Sequence, residues 1–165
     1  MDRARGMAWA TLAVGAGALG TAFLAQHAGG LEPCPLCLWQ RVPYLVVAGL
    51  GGLGLDPRLA PADRWTVAVA AGAVFLAGAV IAGYHVGVEQ HWWENTACAV
   101  GGGASSVEAL KQQLAAAPRP CDEPAWTLFG VSMAGYNLLA SLGLGALWVG
   151  AGRRGLRRTA QGRTP

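Results

Sequence analysis

Residues 34–55 read CPLCLWQRVPYLVVAGLGGLGL, a pair of cysteines two residues apart that leads directly into a long apolar run. Thiols at this spacing are typical of reactive, redox-active pairs. The run that follows has no charged residue between Arg41 and Asp56. The stretch therefore indicates thiol chemistry at the point where the chain enters a membrane helix.

Three further stretches also lack charge, at residues 6–26, 66–88 and 125–152. Each is long enough to supply the roughly 17–25 predominantly apolar residues that a spanning helix needs. With 53% hydrophobic and 13% charged residues, the composition agrees. We predict an all-α integral membrane protein, one domain over residues 1–165, built as a four-helix bundle with transmembrane helices at about 7–26, 41–55, 64–88 and 132–151.

A cleaved signal peptide is the alternative for the first run, because Arg3 and Arg5 precede it. The run is longer than the apolar region of a signal peptide, and residues 24–28 form a poor small-x-small cleavage site. A first transmembrane helix is therefore the better interpretation.

The basic residues give the orientation. Nine arginines fall on one side of the predicted helices, in the N-terminus, in the turn at residues 56–64 and in the basic tail at 152–165; they are Arg3, Arg5, Arg58, Arg64, Arg153, Arg154, Arg157, Arg158 and Arg163. The positive-inside rule places both termini in the cytoplasm and the loops at about 27–40 and 89–131 in the periplasm. We interpret the tail as a solvated flank and expect no nucleic-acid partner.

The two outer loops differ in kind. The first carries Pro33 and Pro35, which predict an extended segment without a helix of its own. The second contains Ser-Ser-Val-Glu at 105–108, a capping pattern, followed by apolar residues at helical spacing. A short amphipathic helix lying on the membrane is therefore predicted in the second periplasmic loop.

All four cysteines, Cys34, Cys37, Cys98 and Cys121, fall in these outer loops. An even number facing an oxidising compartment indicates disulfides, but four cysteines allow three pairings. We expect Cys37 to hold the reactive thiolate, because it comes just before a helix N-terminus and Arg41 follows one turn later. A disulfide of Cys98 and Cys121 would be exposed to a soluble protein.

Less reactive interpretations remain open. Cys-x-x-Cys could be half of a zinc site, but no second pair has matching spacing and we expect no metal, although His85 or His91 could complete a ligand set. The disulfides could be purely structural, and Arg41 could simply extend to lipid headgroups. A polar cluster near the outer end of the third helix could handle protons: His85, Glu89, His91 and Glu94.

Residues 33–41, PCPLCLWQR, together with CDEPAWTLFGVSM at 121–133 and YHVGVE at 84–89, resemble the DsbB family. Members are inner-membrane enzymes of bacteria that reoxidise the periplasmic thiol oxidase DsbA with quinone. The resemblance covers about residues 7–151. It implies a DsbA-like partner, a quinone (ubiquinone or menaquinone) as electron acceptor, and the lipid bilayer of the inner membrane as location.

The resemblance also implies an electron path through two redox-active disulfides, Cys34–Cys37 and Cys98–Cys121. The partner's thiolate attacks Cys98, and the released Cys121 attacks Cys34. Cys37 is then freed as a thiolate that contacts the quinone.

Two further positions follow from the resemblance. Arg41 is expected to stabilise the thiolate and the reduced quinone. The family's histidine near the end of the third helix, expected at the quinone site, corresponds to Gln90 or His91 only with a one-residue shift, and Gln40 stands where some members carry an acidic residue.

Two other functions fit the same pattern. A vitamin K epoxide reductase-like enzyme also couples thiols to quinone chemistry, but there the reactive pair belongs near the last helix. A non-enzymatic membrane scaffold held by two inert disulfides is the third possibility. The four-cysteine arrangement favours the quinone-dependent thiol oxidase.

Overall fold

The computed structural model describes residues 2–93, 106–107 and 119–162. Its elements are α1 (Arg3–His27), α2 (Pro35–Trp39), α3 (Arg41–Gly54), α4 (Pro61–Glu89), β1 (Thr127–Leu128), β2 (Val131–Ser132) and α5 (Met133–Gln161). Four segments are long and apolar enough to cross a membrane: α1, α2 with α3, α4, and α5. The predicted four-helix membrane fold is confirmed.

The last helix is longer than predicted. Residues 152–161 were expected to belong to a tail, but α5 continues without a break to Gln161. Nothing in this segment stops a helix, since it holds no proline and its arginines are good helix formers. Positive side chains are also favourable near a helix C-terminus.

The expectation of an extended first loop is wrong for its second half. Pro35–Trp39 form one helical turn, α2, that runs into α3 at Gln40. Pro35 occupies the first helical position, where its missing N–H has no partner to lose. Cys34 is the N-cap residue, and its sulfur accepts the Cys37 backbone N–H at 3.2 Å.

The second loop ends in a small hairpin. Strands β1 and β2 pair antiparallel, with Thr127 opposite Ser132, and the turn places Phe129 and Gly130 at positive φ. Ser132 then caps α5 by accepting the Gly135 N–H at 3.1 Å. The predicted amphipathic helix lies outside the described residues except for Ser106 and Val107, and stays a prediction.

Aromatic and small residues fill the interior. Phe75 contacts Tyr44 and Trp148 edge to face, with ring centroids 6.0 and 5.6 Å away. Val47 and Ala71 complete this cluster and are fully buried. The outward faces remain apolar, as for Val80, Leu24, Leu45 and Leu139, which is the pattern expected where lipid covers the surface.

Contacts at one end of the bundle bring the N-terminus and the α3–α4 turn together. Arg64 donates to the carbonyl oxygens of Gly54 and Asp56 at 3.1 and 3.0 Å and lies 3.9 Å from the Asp2 carboxylate. Trp65 packs against Gly155 of α5 at the same end. The described segments that carry Cys34, Cys37 and Cys121 lie at the other end.

Glycines allow α1 and α3 to approach closely. A Cβ placed on Gly15 would meet the Ala48 backbone nitrogen at 2.6 Å and the Tyr44 carbonyl oxygen at 2.8 Å. These backbone atoms cannot rotate away, so any side chain here separates the helices. Gly17, two residues later on the same helix, has open space around it.

We expect Gly15→Ala to lower the free energy of unfolding by about 1–3 kcal/mol, the usual cost of overpacking. The matched variant Gly17→Ala should be neutral or gain up to about 1 kcal/mol, because alanine favours a helix over glycine. Unfolding of the detergent-solubilised protein measures both. Equal stability of the two variants would contradict this packing.

Candidate active site

The first cysteine pair is positioned by α2. Cys34 caps this helix and Cys37 lies in its middle, which brings the two sulfurs to 2.9 Å from each other. Both are free thiols. A disulfide requires about 2.05 Å between sulfurs, so a small side-chain movement closes the bond. Cys34 is buried, whereas Cys37 is half-buried.

The helix N-terminus next to the cysteine pair lies one turn earlier than the sequence predicts, and the expected Cys37 thiolate stays a prediction. Cys37 was expected to precede a helix N-terminus, but it lies inside α2 and Cys34 holds the cap position. The pKa of Cys34 is lowered to about 4, mainly by the hydrogen bond shared with Cys37 and further by His85, while burial opposes the shift. The backbone N–H that reaches the Cys34 sulfur and this lowered pKa both favour a thiolate on Cys34 in the reduced pair.

Arg41 is the first residue of α3, and its described contacts reach α1. Its Nη1 donates to Gln26 Oε1 at 2.8 Å, and its guanidinium lies 5.0 Å from the centre of the Phe23 ring. These contacts hold the charge at the wall of a cavity that also contains both cysteines. Arg41 thus faces the same space as the thiols without pairing with them.

The cavity has a volume of about 390 Å³, within the usual range for small-molecule sites. Apolar side chains of α1 form one wall, including Ala18, Leu19, Ala22 and Ala25. Thiols, a guanidinium and an imidazole line the opposite part, from Cys34, Cys37, Arg41 and His85. Apolar walls with a few polar groups are typical of sites that bind small organic molecules.

A chain of polar side chains crosses the bundle beside this cavity. His85 lies between Cys34 and Gln40: its Nε2 is 3.6 Å from the Cys34 sulfur and its Nδ1 is 2.6 Å from Gln40 Nε2. Asn137 Nδ2 donates to Gln40 Oε1 at 2.5 Å, and the Tyr44 hydroxyl donates to Asn137 Oδ1 at 2.5 Å. Buried polar groups within spanning helices are costly and mark functional sites.

Glu89 lies one turn after His85 on α4. Its Oε2 accepts a hydrogen bond from the Ser132 hydroxyl, and its Oε1 is 3.9 Å from His85 Nε2. Both side chains are buried. The carboxylate therefore belongs to the site and is tied to the start of α5.

Two residues from the sequence-based cluster lie elsewhere. The side chain of His91 is 75% exposed and lies 3.8 Å from the Asp122 carboxylate. His91 is not among the residues that line the cavity, so its role at a quinone site stays a prediction without geometric support. Glu94 lies outside the described residues.

Cys121 is buried rather than exposed. It is 1% accessible and packs in one cluster with Cys34, Leu36 and Val88, with Cys37 at its edge. Its sulfur is part of a disulfide. The expected partner, Cys98, lies outside the described residues, so that pairing stays a prediction. The burial of Cys121 overturns the expectation of a solvent-exposed sulfur at this position and places it beside the first pair.

Three potential metal ligands converge at this point. The ligand atoms of Cys34, Cys37 and His85 all lie within 4.8 Å of one another. Structural zinc sites normally have four protein ligands, and this group supplies three. The expected absence of a metal stays a prediction.

Sequence reasoning gave His85 only as one member of a polar cluster and did not select Gln40, Tyr44 or Asn137 for catalysis. A signal was present, because each is a polar residue inside or at the end of an apolar span. Their connection was not readable, since 45 residues separate His85 from Gln40 and 97 separate Asn137 from Gln40.

Comparison with known proteins agrees with this geometry. The model of the family "Disulfide bond formation protein DsbB" matches residues 4–151. The chain belongs to the DsbB family. It is therefore a multi-pass membrane protein of the disulfide-forming oxidoreductases, and the first of the three functions considered from the sequence is favoured.

Relatives in this family cover most of the chain. Disulfide bond formation protein B of Methylococcus capsulatus is 35% identical over 135 residues, covering 78% of this chain and 81% of that protein. The protein of the same name from Hahella chejuensis is 33% identical, with 81% and 84% covered. That of Aromatoleum aromaticum is 34% identical, with 77% and 79% covered. No solved structure matches the chain significantly.

The lowered pKa of Cys34 predicts an unusual pH dependence. Because the thiolate is the form that reacts, alkylation of Cys34 in the reduced protein by iodoacetamide should stay near its maximum from alkaline pH downward and fall only near pH 4. In the denatured chain the reactivity of the same cysteine should fall near pH 9.0, which is the ordinary pKa of a cysteine thiol. Peptide mass mapping measures both, and a midpoint above about 8 in the folded protein would contradict the assignment.

Proposed function

We propose that this protein reoxidises a periplasmic, DsbA-like dithiol oxidase and passes the electrons to a membrane quinone. The observation that carries the proposal is the placement of the Cys34–Cys37 pair, which forms part of the wall of the apolar cavity and packs in one buried cluster with Cys121. One pair of sulfurs thus contacts both an electron source and the space for an acceptor.

Electrons would enter through the second pair. A thiolate of the partner attacks Cys98 and forms a mixed disulfide, which releases Cys121 as a thiolate. Cys121 attacks Cys34, a new S–S bond forms, and the Cys34–Cys37 bond breaks. The burial of Cys121 in the same cluster as Cys34 supports this direct transfer, because exchange requires contact between the sulfurs.

The second half of the reaction returns the first pair to a disulfide. Closing the bond between the thiol and the thiolate of this pair releases two electrons and one proton. Over the full cycle the partner's dithiol gives up two electrons and two protons, which is the amount that converts a quinone to a quinol. A bound quinone supplies this two-electron acceptor. The chain's own residues shape the site: α1 excludes water with small apolar side chains, and Arg41 provides a positive charge toward the reduced acceptor.

The proposed location is the inner membrane, with the site on the periplasmic side. The arginine-rich segments and the termini lie at the bundle end opposite the cysteines, as Arg64, Asp2 and Trp65 show. The positive-inside rule places that end in the cytoplasm. An oxidising periplasm then surrounds the cysteine end.

Turnover tests the proposal directly. The purified chain in lipid nanodiscs, supplied with a short-chain quinone and a reduced thioredoxin-fold dithiol, should consume quinone and dithiol in equal amounts. Cys37→Ser should abolish this turnover, because the Cys34–Cys37 disulfide can no longer form. Gly17→Ala, on a face with open space, serves as control and should keep full activity. Unchanged turnover in Cys37→Ser would rule the proposal out.

Replacement of Arg41 tests its part in acceptor binding. Arg41→Ala should raise the Michaelis constant for quinone by about tenfold, since a charge-assisted contact contributes about 1.5 kcal/mol or more. Arg41→Lys keeps the charge and should show a smaller increase. The Michaelis constants for quinone, measured at saturating dithiol, distinguish Arg41→Ala from Arg41→Lys. Identical quinone kinetics in Arg41→Ala and the parent protein would contradict a role of Arg41 in acceptor binding.

A further inference from the structure

The hydrogen bonds beside Cys34 have a direction. Asn137 Oδ1 accepts from the Tyr44 hydroxyl at 2.5 Å and from the Ser141 hydroxyl at 3.3 Å. Its amide nitrogen therefore points the other way and donates to Gln40 Oε1. With its oxygen occupied, Gln40 presents its own amide nitrogen to His85 Nδ1 at 2.6 Å.

This direction decides where the proton of His85 lies. An amide nitrogen only donates, so the ring atom that faces it must carry a lone pair. Nδ1 of His85 is thus unprotonated, and the ring proton resides on Nε2.

Among the described side chains, the proton on Nε2 has one acceptor within hydrogen-bond distance, and the Cys121 backbone also interacts with this ring. The Cys34 sulfur lies 3.6 Å away, within hydrogen-bond distance for sulfur. Glu89 Oε1 is at 3.9 Å, which is too long for a hydrogen bond to oxygen. Its other oxygen accepts from Ser132. Among the described side chains, His85 therefore donates to Cys34.

We propose that Gln40 and Asn137 are positioning residues that hold His85 as the neutral, Nε2-protonated tautomer, and that His85 is a catalytic hydrogen-bond donor to the Cys34 sulfur. The inference rests on the proposed function, in which this sulfur is the one that Cys121 attacks and belongs to the pair that is reduced. It assigns His85 a fixed donor role rather than the role of a base.

The donor sets how readily the pair accepts electrons. Reduction adds two electrons and one proton to the Cys34–Cys37 disulfide, breaks the S–S bond and leaves a sulfur anion on Cys34, with the proton shared between the sulfurs. The electrons come from the dithiol that attacks Cys34. Because His85 stabilises only the reduced form, it makes the pair a stronger oxidant, as for other pairs whose reduced form is stabilised.

Measurement of the reduction potential tests the donor. The full chain, purified free of quinone, is equilibrated with glutathione buffers, and alkylated peptides that carry Cys34 and Cys37 are quantified by mass spectrometry. In His85→Ala the equilibrium constant for closing this disulfide should rise about tenfold or more, which is about 30 mV toward more negative potential. His85→Gln should restore most of the parent value, since its amide N–H lies near the position of Nε2.

A matched control removes another buried hydrogen bond. Trp148 Nε1 donates to Thr11 Oγ1 at 2.8 Å between α5 and α1, away from the cysteines. Thr11→Val should leave the potential unchanged. If His85→Ala leaves the potential unchanged, or if His85→Gln shifts it as far as His85→Ala, the donor role is overturned.

The tautomer has its own spectroscopic signature. In the reduced parent protein labelled with 15N-histidine, the His85 ring should show a protonated Nε2 and a proton-free Nδ1. His85→Gln identifies the signals, because it removes one of the three histidines. Gln40→Leu and Asn137→Leu should shift these signals toward an average of both tautomers. They should also move the reduction potential of the Cys34–Cys37 pair part of the way toward the value of His85→Ala. A proton on Nδ1 in the parent protein would overturn the proposal even where the variants fail to fold.

These outcomes separate the inference from the proposed function. The potential and the spectrum are measured without quinone or partner. A chain that shows the expected tautomer but does not reduce quinone would retain the inference and remove the function. If the parent chain reduces quinone but the potential of the pair is the same in His85→Ala, the proposed function is retained and the inference is removed.

Discussion

The surroundings of one sulfur atom, that of Cys34, connect the separate parts of this structure. The atom caps α2, lies 2.9 Å from the Cys37 sulfur and 3.6 Å from His85, and packs in the same buried cluster as Cys121. The helix end, the thiol and the imidazole all favour negative charge at this position. Each contact comes from a different segment, so the bundle must be assembled before the sulfur acquires these properties.

The need to surround this sulfur with groups from several helices explains the network of hydrogen-bonded polar side chains in an otherwise apolar bundle. Amide, imidazole and hydroxyl groups in a low-dielectric interior are unfavourable unless every group has a partner. Among the described residues, no buried side-chain nitrogen or oxygen lacks one. Gln40, Asn137 and Tyr44 bond to one another, and an N–H of Gln40 extends the network to His85 and so to the sulfur. The network therefore serves stability and chemistry through the same bonds.

The sequence predicted the spanning segments well, because charge depletion over long stretches depends on the bilayer and not on tertiary contacts. The cysteine motif and Arg41 were also readable as local patterns. The helical turn at Pro35–Trp39 was missed, since prolines were taken to exclude a helix whereas one of them occupies the first helical position. Because of that error the sequence did not show that Cys34 holds the cap position of a helix, and the Cys37 thiolate expected at the acceptor stays a prediction.

The polar network could not be predicted for a different reason. His85, Gln40 and Asn137 meet only through the packing of α4 and α5 around the start of α3. In the sequence, His91 looked equivalent to His85, six residues earlier, and only the path of the chain after α4 places one at the surface and the other beside the sulfur. Burial of Cys121 likewise depends on how the returning loop packs.

The central claim is that electrons pass directly from Cys121 to Cys34. A chain that carries both Cys37→Ser and Cys98→Ser retains only these two cysteines, and mapping of its peptides without reductant shows their state. The account predicts a Cys34–Cys121 disulfide in most molecules of the folded, membrane-embedded protein. Two free thiols that do not pair under mild oxidation would contradict it.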